Sequence, residues 1–89
     1  MARFEAPQPD GSVVMHAGQS ADALYQLGLM YAAGRDVVVD LVTAHKWFNI
    51  AAARGNRDAR RMRSELAAEM TRAEIIEAQR QARAWATSR

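Results

Sequence analysis

Four segments of this 89-residue chain each open on a residue that caps a helix and continue with apolar residues at a helical spacing. The capping residues are Ser20, Asp40, Asn56 and Thr71, whose side-chain oxygens can accept a hydrogen bond from a backbone N–H of the first turn. Behind each cap, apolar side chains recur at i, i+3 and i+4, which places them on one face of an α-helix. The pattern therefore predicts an all-α fold with four amphipathic helices.

The predicted helices span about 21–33, 41–54, 57–69 and 71–86. Gly34 and Gly55 end the first two, because glycine accepts the left-handed conformation at a helix C-terminus. Thr71 and Glu74 fit a capping box at the start of the fourth. The predicted buried lines are Leu24, Leu27, Gly28 and Tyr31; Leu41, Ala44, Trp47 or Phe48, and Ala51; Ala59, Met62 and Leu66; and Ile75, Ala78, Ala82 and Trp85.

Residues 1–19 differ from the rest, since they contain both prolines and two of the five glycines. Proline fixes φ and lacks the N–H that a helix interior needs, so we interpret 1–19 as an irregular N-terminal arm. Its Val13, Val14 and Met15 could pack back onto the first helix. Residues 20–86 then form the folded domain, with one helical hairpin at 20–55 and a second at 56–86.

An internal repeat is indicated by Asp22-Ala23 and Asp58-Ala59, which open the first helix of each hairpin about 36 residues apart. A longer pattern covers about 37 residues, and it reads Ala23-Leu24-x-x-Leu27-Gly28-x-x-Tyr31-x-x-Gly34-Arg35-x-Val37-x-x-Asp40-x-x-x-Ala44-x-Lys46-Trp47-Phe48-x-x-Ala51-Ala52-x-x-Gly55-Asn56-x-x-Ala59. This string resembles a Sel1-like repeat, a relative of the tetratricopeptide repeat. The resemblance implies an α/α solenoid of two antiparallel helix–turn–helix hairpins in a right-handed stack, a full repeat at 20–55 followed by a divergent capping repeat at 56–86.

Two positions depart from the family pattern. Asp36 stands where the family usually has glycine, and a positive φ there would strain aspartate less than most residues. The third helix has Arg63-Ser64 in place of the Leu-Gly pair, which suits a terminal cap with a polar outer face.

The resemblance implies scaffold or adaptor work, commonly in bacterial regulatory or secreted systems. Stacked hairpins also expose the first helix of each unit on a concave surface, which we predict to bind a protein or peptide. Tyr25 and Leu29 are the candidate anchors, unless the N-terminal arm covers them. The full set of predicted partner-binding residues is Asp22, Tyr25, Leu29, Ala32, Asp58, Arg61 and Glu65.

Catalysis is not expected, because no reactive groups converge in the sequence. His16 and His45 lie in different elements, and we interpret His45 as a surface residue of the second helix. The carboxylate pairs Glu65/Glu69 and Glu74/Glu77 lie among arginines, where helical ion pairing explains them. The chain contains no phosphate-binding glycine loop and no metal-ligand cluster, so we expect no cofactor and no metal.

Two alternatives to partner binding stay open. The isoelectric point is near 9.7, and five arginines cluster at 54, 57, 60, 61 and 63, so a small basic helical protein that binds nucleic acid is the first. The second is self-association, since two hairpins are few for a solenoid, and Trp47 and Trp85 would be the interface residues.

Charge and cysteine content bear on how the chain associates and where it functions. Residues 1–53 carry three basic and five acidic groups, whereas residues 54–89 carry nine and five. This acidic front and basic back could steer a partner or help units stack. The chain has no cysteine, no secretory leader pattern and no apolar run near the roughly 20 residues that span a bilayer. We predict a cytoplasmic protein, and a periplasmic or secreted one remains open if a signal peptide has been removed.

Overall fold

A computed structural model describes residues 20–88 of the chain. Its helices are α1 (Ala21–Ala33), α2 (Leu41–Ala53), α3 (Arg57–Ala67) and α4 (Arg72–Thr87). Within residues 20–88 there is no β-strand, so the all-α prediction is confirmed for that range. The predicted irregular arm at 1–19 lies outside the described residues.

Each helix begins at the predicted cap. Ser20, Asp40 and Asn56 each accept a hydrogen bond from the backbone N–H three residues further on. Thr71 and Glu74 form the predicted capping box, with the Thr71 N–H donating to Glu74 Oε1 at 2.8 Å and the Glu74 N–H donating to Thr71 Oγ1 at 3.1 Å. These caps satisfy first-turn N–H groups that have no partner within the helix, and they fix where each helix starts.

The end of α1 agrees with the sequence prediction, whereas the end of α3 does not. α1 stops at Gly34, which has a φ of 75° and donates its N–H to the Met30 carbonyl at 2.8 Å. α3 ends at Ala67, two residues before the predicted end, because Glu69 and Met70 donate to carbonyls three residues back and tighten the chain into a turn.

α2 is the central helix, and α1, α3 and α4 all pack against it. α1 runs antiparallel to α2, since the Asp40 N–H at the start of α2 donates to the Tyr31 carbonyl near the end of α1 at 3.1 Å. α4 runs in the same direction as α2. Glu74 in its first turn lines a cavity with Asp40, and Trp85 near its end lies beside Arg54.

The second hairpin differs from the prediction. A short turn joins α3 to α4, but within the described residues each of these helices packs on α2 and scarcely on the other. α3 offers one narrow apolar line between exposed arginines, and Ala59 and Leu66 on that line are buried in the core. α4 buries Ala78 and Ala82 in the same core.

The core is built mainly from α2. Phe48 and Leu24 are its largest fully buried side chains, and Phe48 lies directly against Gly28 of α1. The predicted alanines of α2, α3 and α4 are buried, whereas the larger residues at the edges of the predicted lines are half-buried and pack against the core; these are Leu27, Tyr31, Leu41, Met62, Ile75 and Trp85. Alanines therefore lie between the helices around Phe48 and Leu24, which lets the helices approach closely.

None of the helices among the described residues combines the length and the apolar character needed to cross a membrane.

Candidate functional site

The predicted partner-binding residues on α1 lie partly in the core. Tyr25 is half-buried, and its ring centroid is 5.9 Å from that of Phe48 with the two rings tilted by 43°. Leu29 and Ala32 are also half-buried and pack against the buried cluster. Each of the three keeps part of its surface accessible among residues 20–88, so they contribute to the core and to the surface of α1 at once.

The predicted residues on α3 are exposed and pair with one another. Arg61 lies between Asp58, at 3.6 Å, and Glu65, at 3.9 Å, and all three side chains are about two-thirds exposed. Ion pairs this long and this exposed contribute little to stability, because water screens them and their side chains lose entropy. Their charges can therefore exchange these partners for those of a bound protein at little cost.

A hydrogen bond joins the two halves of the predicted site. Asn56 Nδ2 donates to Asp22 Oδ1 at 2.9 Å, while Asn56 Oδ1 accepts from the Ala59 N–H at 2.7 Å. Asn56 therefore caps α3 and fastens it to the first turn of α1, and α1 and α3 are in contact. The sequence predicted that Asn56 caps α3 but not that it also bonds Asp22. The side-chain amide can do both because its oxygen accepts while its NH₂ group donates. We call the seven predicted residues (Asp22, Tyr25, Leu29, Ala32, Asp58, Arg61 and Glu65) the α1–α3 surface.

The interpretation of His45 as a surface residue is wrong. His45 is 2% exposed, and its Nδ1 makes no hydrogen bond with any described residue. Burial lowers the pKa of His45 below its ordinary value, and the positive charge of Arg63 lowers it further. The neutral imidazole is the favoured form, and the error arose because α2 is covered on several sides and not on one stripe alone.

The arginine cluster does not form one basic surface. Arg63 Nη1 donates to Asn49 Oδ1 on α2 at 2.7 Å, and Arg61 is held between two carboxylates. Arg54 reaches in another direction, with its guanidinium 5.2 Å from the centre of the Trp85 ring. The remaining two of the five, Arg57 and Arg60, are exposed on α3 and lie outside these contacts.

An aromatic and cationic cluster joins α2 to α4. The rings of Trp47 and Trp85 meet edge to face with their centroids 5.6 Å apart. Lys46 Nζ lies 4.4 Å from the centre of the Trp47 ring, and burial lowers the pKa of Lys46. Trp47 is only 7% exposed, so it holds α4 on α2 and offers little surface to a second copy. Edge-to-face pairs of this kind contribute about 0.5–1.5 kcal/mol to stability in addition to the free energy gained by burying their surface.

The connection between α1 and α2 presents an apolar surface that sequence reasoning missed. Val38 is 87% exposed and Val39 is 53% exposed, and together with Val37 they line an open cavity of about 710 Å³. The signal was the run of three valines in a loop, where exposed positions are usually polar.

Among residues 20–88, no three histidine, aspartate or glutamate side chains are grouped closely enough to hold a metal ion. Comparison of the chain with models of protein families, with curated proteins and with solved structures finds no match.

Proposed function

We propose that this chain is a protein-binding module, a short Sel1-like solenoid that takes up a protein or peptide partner on its α1–α3 surface and performs no chemistry of its own. The arrangement of the helices supports the solenoid. Successive helices alternate in direction, α1 contacts α3, and α4 packs on α2, as equivalent helices of neighbouring units do in stacked helical repeats, although α3 and α4 scarcely pack on each other. The positive φ of 64° at Asp36, where the Sel1-like pattern usually has glycine, also agrees with the resemblance.

The observation that carries the proposal is the position of Tyr25 and Leu29. They lie one helical turn apart on α1, and each is held against the core while keeping part of its side chain accessible. Asp22 is exposed one turn before Tyr25 on α1, and exposed charged residues lie on α3, which contacts α1. An apolar pair that is already ordered, with exposed charged residues on the same helix and on its neighbour, is typical of the anchor residues of protein interfaces, because little side-chain entropy is lost on binding.

The two alternatives receive less support. A nucleic-acid binder gains affinity from many cations on one face. Here Arg63 is hydrogen-bonded to Asn49 on α2 and Arg61 lies beside Asp58. Arg54 lies over the ring of Trp85. Self-association through the tryptophans is disfavoured because Trp47 is only 7% exposed and offers little surface to a second copy. Both alternatives predict measurements that differ from those of the proposed function.

A peptide-library selection tests the proposal even while the natural partner is unidentified. Phage-displayed random peptides are selected on the purified chain, and the strongest binders are synthesised and titrated by fluorescence anisotropy. Because Tyr25 and Leu29 supply the anchor, Tyr25→Ala and Leu29→Ala should each weaken binding about tenfold or more, which corresponds to a loss of about 1.4 kcal/mol.

Leu27→Ala is the matched control, since Leu27 is a half-buried residue of the same helix that belongs to the core line. It should lower thermal stability without changing the affinity for the selected peptide. The proposal fails if all three substitutions have the same effect on binding, or if Tyr25→Ala and Leu29→Ala leave the affinity unchanged.

Two further measurements separate the alternatives. Binding to a single-stranded or double-stranded oligonucleotide that weakens steeply with added salt would favour the nucleic-acid alternative. Lysine and arginine side chains release counterions from the phosphates when they bind, and added salt opposes that release. A light-scattering mass equal to two chains across a dilution series would favour self-association. The proposed function predicts a monomer whose peptide binding depends little on salt.

A further inference from the structure

A second groove lies between α2 and α4, on residues that the α1–α3 surface does not use. It encloses about 250 Å³ and is mainly apolar. We call it the α2–α4 groove, and the residues that line it are Asn49, Ile50, Ala53, Arg54, Ala82, Arg83, Trp85 and Ala86. The α2 part spans about one and a half helical turns, and so does the α4 part.

The groove has a cationic residue on each of its two sides. Arg54 lies on its α2 side and Arg83 on its α4 side, and both residues are exposed. No aspartate or glutamate is among the lining residues. An apolar partner segment placed here therefore meets positive charge on both flanks, which favours acidic side chains at its edges.

The side chains along the groove leave room for a helix. Ala53 and Ala86 are exposed and end at Cβ, and Ala82 below them is buried, so a third helix can approach α2 and α4 closely. Ile50 provides a larger apolar contact at the base of the groove. A helix of about two turns covers the available length, and its apolar face fits the alanines while its polar face remains in water.

We propose that the α2–α4 groove binds an acidic amphipathic helix of a partner protein. Its apolar residues contact Ile50 and the groove alanines, and its carboxylates pair with Arg83 on one flank and face the positive charge of Arg54 on the other. This site is additional to the α1–α3 surface and does not depend on it.

The state of Trp85 favours a peptide over a nucleic acid in this groove. The Arg54 guanidinium lies over the Trp85 ring at 5.2 Å, and Trp47 meets the same ring at 5.6 Å. Single-stranded nucleic acids are held by open aromatic faces on which bases stack. Trp85 already engages two neighbours, so it contributes an apolar edge to the groove and not a free stacking face.

The probe is a synthetic helical peptide of about 16 residues, with leucine and alanine on one face and glutamate on the other. A second peptide carries lysine in place of every glutamate. Fluorescence anisotropy of each labelled peptide is followed as the protein is added. The acidic peptide should bind, and the lysine peptide should bind at least about tenfold more weakly because it meets like charge at both edges.

A matched pair of variants locates the binding site. Ala86→Glu and Ala84→Glu each add one carboxylate at an exposed alanine of α4, but only Ala86 lines the groove. Ala86→Glu should weaken the acidic peptide about tenfold, whereas Ala84→Glu should leave it unchanged. Arg83→Glu and Arg60→Glu form a second pair, with Arg83 in the groove and Arg60 on α3.

Several outcomes overturn the proposal. Equal binding of the two peptides would show that charge does not determine binding. Equal effects of Ala86→Glu and Ala84→Glu would show that the peptide does not bind in the groove. A dimer that Ala86→Glu dissociates would make a second copy of this chain the occupant, and an oligonucleotide that competes with the acidic peptide and binds more tightly would make nucleic acid the occupant. Tyr25→Ala and Leu29→Ala should not change this binding, so the proposal can fail or hold independently of the α1–α3 surface.

Discussion

Replacing Gly28 by alanine tests the close approach of α1 and α2. Gly28 is buried in the middle of α1, and a Cβ built on it would lie 2.5 Å from Phe48 Cδ1. Phe48 is fully buried and also contacts Tyr25, so its ring has little room to move away. Either the ring or the whole helix must shift to admit the methyl group.

Two opposing terms set the size of the effect. Alanine is favoured over glycine in a helix interior by about 1 kcal/mol. Overpacking a well-filled core costs about 1–3 kcal/mol, and the upper half of that range applies where the neighbour is a confined aromatic ring. We therefore expect Gly28→Ala to lower the free energy of unfolding by about 1–2 kcal/mol, which for a domain of this size lowers Tm by about 4–16 °C.

Urea denaturation followed by circular dichroism measures the change, and a double-mutant cycle assigns its cause. In a Phe48→Leu background the ring is absent, so Gly28→Ala should stabilise the protein by its helix propensity. Gln26→Gly and Gln26→Ala, at an exposed position of the same helix, calibrate that propensity. A Gly28→Ala protein that is more stable than the wild type, or one with the same loss in both backgrounds, would refute the close approach.

Three other perturbations follow from the caps, the left-handed residue and the buried histidine. Thr71→Ala removes the capping box of α4 and should cost about 1 kcal/mol in urea unfolding, while an unchanged midpoint would show that the cap is not formed in solution. Asp36 has a φ of 64°, so Asp36→Gly should be more stable than Asp36→Ala by about 1 kcal/mol, and the reverse order of Tm would contradict that backbone conformation. Burial lowers the pKa of His45, so the folded state favours the neutral form; its contribution to stability is complete above the ordinary value of 6.5 and is lost as the pH falls from there towards the folded pKa. Wild-type protein should therefore lose more stability between pH 7 and pH 5 than His45→Gln, and parallel pH curves would rule this out.

Local chemistry made the starts of the helices predictable. Ser20, Asp40, Asn56 and Thr71 each combine a short polar side chain with a following apolar pattern, and each caps its helix as expected. The end of α1 was equally clear from Gly34. α3 has no glycine after it. Its end at Ala67 depends on turn hydrogen bonds that cannot be predicted from the residue types at these positions.

The burial of His45 could not be predicted from periodicity. One apolar stripe implies one neighbour, whereas α2 packs against three helices and buries residues around much of its circumference. The same reasoning missed that α4 packs on α2 through Trp85 and scarcely on α3. Connection length alone predicted a hairpin there, but the position of a helix depends on which apolar surfaces are complementary.

The candidate surfaces depended even more on tertiary arrangement. The Asn56–Asp22 hydrogen bond joins residues 34 positions apart, so only the folded chain brings the two halves of the α1–α3 surface together. The α2–α4 groove likewise combines Ala53 and Ala86 from different helices. The sequence indicated which residues of α1 were left outside the buried line, but not that Tyr25 and Leu29 would be half-buried.

The most direct test of partner binding on the α1–α3 surface is an NMR map of amide shifts during titration with a peptide selected on the whole chain. We predict that the largest changes fall on α1 between Asp22 and Ala32 and on α3 between Asp58 and Glu65, and that Leu29→Ala removes them. Shifts confined to other helices, or shifts that persist unchanged in Leu29→Ala, would contradict partner binding at this surface.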